Sequence, residues 1–318
     1  MTAKTRKGGR LLKLLFLVGL LVLLFGGAAR LVVAGGAKSL NTGDRLLGSS
    51  EGATLQVQGQ PYGSGPRNKL NIWVPTGTRD SDRLPVLVWL YGGGWYSGAR
   101  DDYGFAGRAF AKQGFIVVIP DYRIVPDGHW PDFLQDSAAA VAWTEKNIAS
   151  YGGDPARIAL SGHSAGAYNA VILALDPQWM KAAGSDAAVI RGMAALAGPY
   201  DFIPFEPGGR ADVAMGDIRP LERTQPISFV RADAPPLWLG HGSADTVVRV
   251  RNSKNLAAAM AKAGGSAQLR VYDDLSHNDL VMAMTAPLGF KGPILPEMTE
   301  FLRAVTARQL RAEPSPQP

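Results

Sequence analysis

Ser164 stands in a short motif whose residue types suit a nucleophile. Residues 162–166 read GHSAG, after an apolar segment predicted as a strand (158–160) and before one predicted as a helix (165–175). A serine in such a strand-to-helix turn is held in a strained conformation that lifts its hydroxyl above the sheet, and the glycines avoid clashes there. The positive end of the following helix favours developing negative charge. The motif predicts nucleophilic attack on a carbonyl, and a glycine-serine turn without chemistry is the alternative.

Three consecutive glycines at residues 92–94 follow a strand predicted at residues 85–91. Acyl transfer creates an oxyanion, which needs preorganised N–H donors about 3 Å away, and glycines let bare backbone amides approach that position. We expect the oxyanion donors to be the amides of Gly93, Gly94 and Ala165. A phosphate-binding loop is disfavoured because G-x-G-x-x-G spacing and a Walker lysine are both missing, which leaves a flexible turn as the other alternative.

The general base is found by elimination, because the chain contains 4 histidines. His163 adjoins the serine and is expected to point elsewhere, and His129 precedes the nucleophile. His241 lies too close to the best acid candidate to act with it across a site. His277 remains, in the loop after a strand predicted at residues 268–272. We expect His277 to be the base, with a solvent-exposed loop histidine as the alternative.

Asp245 is the candidate for the carboxylate that orients this base. It follows the strand predicted at residues 236–240, and Asp201, after the preceding strand, is its rival. Three further acidic residues near the histidine are read as solvated charges: Asp273, Asp274 and Asp279. Ser164, Asp245 and His277 would each lie in a loop after a strand, in the chain order that one large fold family uses for acyl transfer.

These loops can meet only if their strands end at one edge of a sheet. The chain of 318 residues, 46% hydrophobic and 19% charged, is long enough for one large α/β domain. Short apolar segments alternate with longer amphipathic ones, which favours a mostly parallel sheet of about eight strands covered by helices on both faces. The remaining predicted segments are the strands 54–60, 70–74 (a leading antiparallel pair), 115–119 and 192–196, and the helices 105–113, 131–149, 252–263 and 295–309.

The positive charge is concentrated at the N-terminus. The net charge is +6, yet residues 1–43 hold seven basic residues and no acidic one. The rest of the chain, with 26 basic and 27 acidic residues, is close to neutral, so a nucleic-acid partner loses its main support. The absence of cysteine excludes disulfides, zinc-thiolate sites and a cysteine nucleophile.

The first 43 residues are interpreted as an export signal. A basic region (1–13) is followed by an uncharged apolar run (14–29) that ends in small residues, as in a secretory signal peptide. The alternative is a retained membrane anchor through residues 14–36, and both place the body of the protein in the periplasm or outside the cell.

The catalytic domain is predicted over residues 44–310, with a polar linker at 38–53 and a disordered tail at 311–318. A small lid is expected within residues 198–230, or none at all, and no long N-terminal cap is expected over the acyl site. The aromatic residues proposed as pocket walls, with ordinary packing as the alternative, are Trp95, Tyr200, Phe202 and Phe205, and the apolar segment 280–284 is read as acyl-side lining or a core helix.

Six motifs together resemble the α/β-hydrolase fold serine esterases and lipases, specifically the hormone-sensitive-lipase-like and feruloyl-esterase-like groups of bacterial carboxylesterases. They occupy residues 91–95 (YGGGW), 121–126 (DYRIVP), 151–158 (YGGDPARI), 162–166 (GHSAG), 241–248 (HGSADTVV) and 276–277 (SH). The resemblance covers about residues 65–308. It implies serine-dependent hydrolysis of a small-molecule ester, with no metal and no organic cofactor.

Two departures from the family pattern bear on the site. Tyr91 stands where the oxyanion motif usually begins with histidine, and His163 replaces the aspartate of typical hormone-sensitive-lipase relatives. The second departure favours the feruloyl-esterase-like side. A similar glycine loop also occurs in kynurenine formamidases, so amide hydrolysis is an alternative on the same residues. A non-catalytic hydrolase-fold binding protein is another, and the sequence leaves the oligomeric state open.

Overall fold

An eight-stranded sheet is the centre of this computed structural model, which describes residues 36–48 and 51–308. Its strands are β1 (Ala53–Pro61), β2 (Lys69–Pro75), β3 (Leu84–Leu90), β4 (Ile116–Pro120), β5 (Gly153–His163), β6 (Ile190–Leu196), β7 (Leu237–Gly242) and β8 (Ala267–Tyr272). They lie in the order β1-β2-β4-β3-β5-β6-β7-β8. The prediction of a mostly parallel sheet of about eight strands is confirmed.

The sheet is antiparallel at one end and parallel through the rest. β1 pairs antiparallel with β2, and β2 antiparallel with β4, whereas every pair from β4 and β3 through to β7 and β8 is parallel. All five residues of β4 are buried, as expected for an apolar strand with both faces covered by helices. Because β5, β7 and β8 are parallel, the loops that follow them leave the sheet at the same edge.

The described residues contain the five predicted helices, each with its ends within four residues of the prediction. They add helices at residues 36–47, 178–182 and 210–215, and a fourth at 279–282 falls in the segment 280–284, for which a core helix was one of two interpretations. In chain order the helices are α1 (Gly36–Leu47), α2 (Gly104–Ala111), α3 (Asp132–Asn147), α4 (Ala165–Leu175), α5 (Gln178–Ala182), α6 (Arg210–Met215), α7 (Arg251–Lys262), α8 (Asp279–Met282) and α9 (Ile294–Val305). Short 3₁₀ turns connect several of them, among others Arg100–Tyr103, Leu221–Thr224 and Ala286–Lys291.

The prediction of a linker at residues 38–53 is wrong over α1, because this segment is a helix docked on the domain. Asp44 and Arg108 form a buried ion pair at 2.7 Å, and Leu40 is buried. Oδ1 of Asn41 also accepts a hydrogen bond from Arg108 at 2.8 Å. The polar composition of this segment did not predict a docked helix, because its Asp44 and Asn41 side chains are paired with Arg108 of α2, more than sixty residues later in the chain.

The N-terminal apolar run (14–29) and the predicted tail (311–318) lie outside the described residues. Within the described ranges, 36–48 and 51–308, no helix has both the length and the apolar character needed to cross a membrane.

Candidate active site

Ser164 occupies the turn between β5 and α4. Its backbone has φ 56° and ψ −122°, a region that non-glycine residues rarely adopt, and its N–H donates to the carbonyl of Leu196 at 2.9 Å. Helix α4 crosses β3 so closely that a Cβ at Gly166 would lie 2.0 Å from the carbonyl oxygen of Leu90. The turn therefore holds the serine in a strained conformation above the sheet edge, which explains the glycine two residues after it.

His277 and Asp245 form a buried hydrogen-bonded pair in the loops after β8 and β7. Nδ1 of His277 lies 2.7 Å from Oδ2 of Asp245, and the other carboxylate oxygen accepts the N–H groups of Val247 and Val248 at 2.9 Å. Burial opposes ionisation, but hydrogen bonds from His241 and His277 outweigh it and hold the pKa of the Asp245 carboxyl well below its usual range. Asp245 is therefore ionised at neutral pH, and Nε2 of His277 is the nitrogen left to accept a proton.

Ser164 and His277 open into one cavity of about 520 Å³. Its floor is completed by the glycine loop after β3, and Asp245 is buried behind His277 with its side chain fully covered. The walls come from residues of α1, the 3₁₀ turn before α2, α6 and α8: Ala37, Lys38, Leu40, Asp102, Tyr103, Arg210, Val281 and Met282, with Val247 from the loop after β7.

Gly93 and Gly94 belong to a turn that only glycine can form without strain. Their φ angles are 138° and 62°, and a Cβ at Gly93 would lie 2.0 Å from the carbonyl oxygen of Ser97. Both glycines line the cavity beside Ser164. Ala165 is the first residue of α4, where backbone N–H groups have no partner within the helix. Gly93 and Gly94 thus line the same cavity as Ser164, and Ala165 follows Ser164 in the chain; that their amides bind an oxyanion stays a prediction.

Tyr91 holds this loop from below. Its hydroxyl donates to Oδ1 of Asp121 at 3.0 Å and accepts from Nη2 of Arg67 at 2.8 Å. Arg67 also donates to the carbonyl of Gly98 at the far end of the loop, at 2.8 Å. Tyr122 stacks on the Tyr91 ring at 4.6 Å and donates its hydroxyl to the Tyr91 carbonyl at 2.5 Å. Burial raises the pKa of Tyr91 well above its usual value, so it remains a neutral donor. Tyrosine can thus anchor a loop that usually begins with histidine.

His163 lies against His277, so the expectation that it points elsewhere is wrong. Its ring centroid is 4.5 Å from that of His277, its Nε2 donates to the His277 carbonyl at 3.0 Å, and it lines the cavity. Burial, reinforced by the neighbouring His277, lowers the pKa of His163 to about 3. A neutral imidazole therefore supports the backbone of the loop that carries His277. The sequence contained one signal for the contact between His163 and His277, namely the position of His163 directly before Ser164 in the serine motif.

His241 was excluded as the base by its spacing from Asp245, and the same spacing brings the two side chains together. Nε2 of His241 lies 2.7 Å from the carbonyl of Val248 and 3.3 Å from Oδ2 of Asp245. Because both of these atoms are acceptors, Nε2 carries the proton. Nδ1 then accepts from the hydroxyl of Ser253 at 2.7 Å. The other acid candidate, Asp201, accepts from Nδ2 of Asn255 at 2.6 Å and is not among the residues around the cavity.

The aromatic residues proposed as pocket walls pack among themselves, so that prediction needs correction. Trp95 donates its indole N–H to Oδ1 of Asn169 at 3.1 Å and stacks on Phe202 at 6.4 Å, and Tyr200 is fully buried. Phe202 in turn contacts Phe205, with ring centroids 5.3 Å apart. None of these aromatic side chains is among the residues that line the cavity. The predicted lid segment reaches the cavity through Arg210, and α1 supplies a wall where no N-terminal cap was expected.

Comparison with known proteins gives a match to the BD-FAE family model over residues 70–260, which is more than half of the chain. Two curated relatives are the probable isoprenylcysteine alpha-carbonyl methylesterase ICMEL1 of Oryza sativa subsp. japonica and the esterase LipQ of Mycobacterium tuberculosis. The first is 31% identical over 70% of this chain and 56% of its own length, the second 30% identical over 81% and 64%. The chain thus spans between about half and two thirds of the relatives' length.

Solved structures agree on the fold. A truncated carbohydrate esterase from gut microbiota superposes with a TM-score of 0.72 at 21% identity, covering 82% of this chain and 99% of that structure. Esterase 2 of Thermogutta terrifontis, in its apo form, gives a TM-score of 0.66 at 23% identity and covers 83% of this chain and 100% of its own.

Proposed function

The chain belongs to the BD-FAE family of α/β-hydrolase serine esterases, and from this membership and the geometry of the cavity we propose that it hydrolyses carboxylic esters of small molecules. The observation that carries the proposal is the pairing of Nδ1 of His277 with a buried, ionised Asp245 at 2.7 Å beside a strained Ser164 in the same cavity. Ser164, His277 and Asp245 are the proposed nucleophile, base and orienting acid.

In the first half of the reaction, Oγ of Ser164 attacks the ester carbonyl carbon while its proton moves to Nε2 of His277. The C–O bond to the alcohol then breaks, and His277 returns the proton to the leaving oxygen, which leaves an acyl group on Ser164. In the second half, water attacks this acyl group with His277 again as the base, and the carboxylic acid departs as the Ser164 hydroxyl re-forms.

Two features lower the barrier to these steps. The ionised Asp245 fixes the tautomer of His277 and stabilises the imidazolium that forms during attack. The amides of Gly93, Gly94 and Ala165 are proposed to donate to the oxyanion of each tetrahedral intermediate, and removing one such donor costs on the order of 10²-fold or more in kcat in enzymes of this kind.

The substrate panel follows from the relatives. Because the rice relative is named as a probable methylesterase, methyl esters belong in the panel beside p-nitrophenyl esters of graded chain length. N-formyl aryl amides and short peptides are included because the same residues suit amide hydrolysis. If the amides are cleaved with a higher kcat/KM than the esters, the proposed activity becomes amide hydrolysis.

The test compares the full-length protein with Ser164→Ala and with Ser150→Ala, in which an exposed serine outside the cavity is removed. We expect ester turnover and covalent labelling by one equivalent of a dialkyl p-nitrophenyl phosphate in the wild type and in Ser150→Ala. Both should be lost in Ser164→Ala, with the circular dichroism spectrum unchanged. Equal turnover in wild type and Ser164→Ala contradicts the proposed nucleophile, and no turnover in either favours the non-catalytic alternative.

We also propose that residues 1–43 export the protein, either as a cleaved signal or as an anchor through residues 14–36. The basic region followed by an apolar run supports this proposal. Gly36 and Ala37 line the cavity, so a retained anchor would join the chain directly beside the active site. Cell fractionation with intact-mass measurement tests it. Full-length protein in the cytoplasm contradicts export, and a mass lacking the first segment identifies cleavage.

A further inference from the structure

Arg210 reaches the catalytic cavity from the first residue of α6. Its Cδ and Nη1 atoms each lie 3.6 Å from the position that a Cβ would take at Gly94, in the glycine loop. Its guanidinium lies over the ring of Tyr96, 5.5 Å from the ring centroid. The side chain lines the same cavity as Ser164 and His277. A positive charge is thus held within reach of a substrate whose carbonyl faces the glycine loop.

This charge has no acidic partner in the part of the chain that the structure describes. Within residues 36–48 and 51–308, no carboxylate oxygen lies within 4.0 Å of the Arg210 guanidinium, and the residue is exposed. Other arginines near the loop are paired: Arg67 with Tyr91, Arg100 with Asp121 and Arg108 with Asp44. Arg210 therefore differs from its neighbours in having its donors available to a ligand.

The other charged side chains of the cavity wall offset each other. Lys38 from α1 and Asp102 line the same cavity, and burial raises the pKa of the Asp102 carboxyl while the positive charge of Lys38 opposes that rise. With these two charges of opposite sign balanced, Arg210 gives the cavity a net positive character. A planar guanidinium with free N–H donors binds a carboxylate through two parallel hydrogen bonds, which a point charge such as lysine cannot reproduce.

We propose that Arg210 determines specificity by binding a carboxylate group of the ester substrate, so that the preferred substrates are esters of dicarboxylic acids or acyl esters of hydroxy acids. This inference rests on the proposed ester hydrolysis. The cation–π contact with the Tyr96 ring favours this position of the guanidinium, which reduces the entropy lost when the carboxylate binds. Because the site is open to solvent, the contact between Arg210 and the carboxylate should contribute the binding free energy of a charge-assisted hydrogen bond that is screened by water and salt.

The experiment measures kcat/KM for matched anionic and neutral esters. Monomethyl glutarate is paired with dimethyl glutarate, which places the carboxylate on the acyl side, and 3-acetoxypropanoate is paired with its methyl ester, which places it on the alcohol side. We expect the anionic ester of one pair to be preferred, and the ratio of anionic to neutral kcat/KM to fall about tenfold in Arg210→Gln. Arg210→Lys should lose part of the preference. The pair that responds identifies the side on which the carboxylate binds.

Arg219→Gln is the matched control, because Arg219 is an exposed arginine of the same connection that is not among the residues lining the cavity. It should leave both ratios unchanged. A general electrostatic role for Arg210 at the oxyanion would lower kcat/KM equally for the anionic and neutral esters, and such a result overturns the inference. So does a wild-type ratio near one in both pairs.

Binding of glutarate to Ser164→Ala, measured by calorimetry, separates this inference from the proposed function. Arg210→Gln in that background should weaken glutarate binding about tenfold. If no ester is cleaved but glutarate binds in an Arg210-dependent manner, the ester-hydrolase proposal fails and the carboxylate site stands. If esters are cleaved and glutarate binding is indifferent to Arg210, the carboxylate site fails and the enzyme stands.

Discussion

Nε2 of His241 lies 3.3 Å from Oδ2 of Asp245, the carboxylate oxygen that also faces Nδ1 of His277. The other oxygen of Asp245 accepts the backbone N–H groups of Val247 and Val248. The carboxylate is thus surrounded by donors on both oxygens, so its orientation does not depend on the base alone. We therefore propose that His241 positions the carboxylate of Asp245, the proposed orienting acid; His241 itself is not among the residues that line the cavity.

The first prediction concerns the imidazole of His241. His241→Phe should lower kcat about tenfold with little change in KM, because Asp245 loses a donor and the loop loses the bond to the Val248 carbonyl. His241→Gln, whose amide can donate to the same acceptors, should recover part of the loss. Steady-state kinetics on a p-nitrophenyl ester give both constants. His129→Gln is the control histidine, and a fall in thermal stability with kcat unchanged would assign His241 a purely structural role.

The second prediction concerns acid stability through His163, whose pKa burial lowers to about 3. Below the ordinary histidine pKa of about 6.5, the unfolded chain binds a proton at this residue while the folded protein does not. The free energy of unfolding therefore decreases as the pH is lowered through this range. Protonation of this one residue in the unfolded chain accounts for a decrease on the order of 3 kcal/mol between pH 6.5 and pH 4. His163→Gln should remove that part of the pH dependence.

Urea denaturation at pH 7, 5.5 and 4.5 measures this effect as a difference in slope, so a uniform loss of stability in the variant does not obscure it. His129→Gln serves again as the control, because this half-buried histidine lies outside the cavity. Identical pH slopes for wild type and His163→Gln would show that the folded protein protonates His163 as readily as the unfolded chain does.

The fold was predictable because its signals are local. Inner strands such as β3 and β4 are short apolar runs, and α4, predicted at residues 165–175, has those bounds in the structure. The loop positions of Ser164, Asp245 and His277 follow from strand order, since parallel strands send their C-terminal loops to one edge. The close approach of His277 to Asp245 was reached in this way, by chain order and elimination.

The walls of the site depend on pairings that no local pattern contains. α1 is polar in composition and becomes a helix of the domain because Asp44 meets Arg108, 64 residues away. Arg210 is one of several arginines in an irregular connection, and only the fold brings it beside Gly94. Trp95 and Phe202 were read as pocket walls from their apolar character, which equally suits the packed cluster in which they lie.

The third prediction concerns the anchoring of the glycine loop. Tyr91→Phe removes the hydroxyl between Arg67 and Asp121, and the loss of these buried hydrogen bonds to charged groups should lower the free energy of unfolding by about 1–3 kcal/mol. Looser amides in the loop should lower kcat more than they raise KM. Tyr151→Phe is the control, because Tyr151 is a half-buried tyrosine outside the cavity. Urea denaturation and ester kinetics are measured on both variants and the wild type. A loss of stability without loss of kcat would separate the anchor from catalysis.

The fourth prediction tests whether α1 belongs to the active site. Arg108→Met leaves the Asp44 carboxylate buried without its cation, so the free energy of unfolding should fall by about 3 kcal/mol or more. Because Leu40 and Ala37 of the same helix wall the cavity, partial undocking of α1 should also raise KM for medium-chain esters several-fold. The double variant Asp44→Leu with Arg108→Met buries no lone charge and should recover most of both effects.

Arg79→Met is the matched control, since Arg79 forms an ion pair with Asp82 at 2.9 Å with its own side chain 80% exposed. An exposed pair of this kind contributes about 1 kcal/mol or less, so stability and KM should both stay close to the wild type. Urea denaturation and kcat/KM for p-nitrophenyl butyrate are measured on all four proteins. If Arg108→Met loses stability with KM unchanged, α1 stabilises the domain without shaping the cavity. If KM rises in Arg108→Met and the double variant restores it, the docked helix is a wall of the substrate site. The two variants differ only in whether a charged carboxylate or an apolar side chain occupies position 44 of α1, so the change in KM follows the docking of this helix.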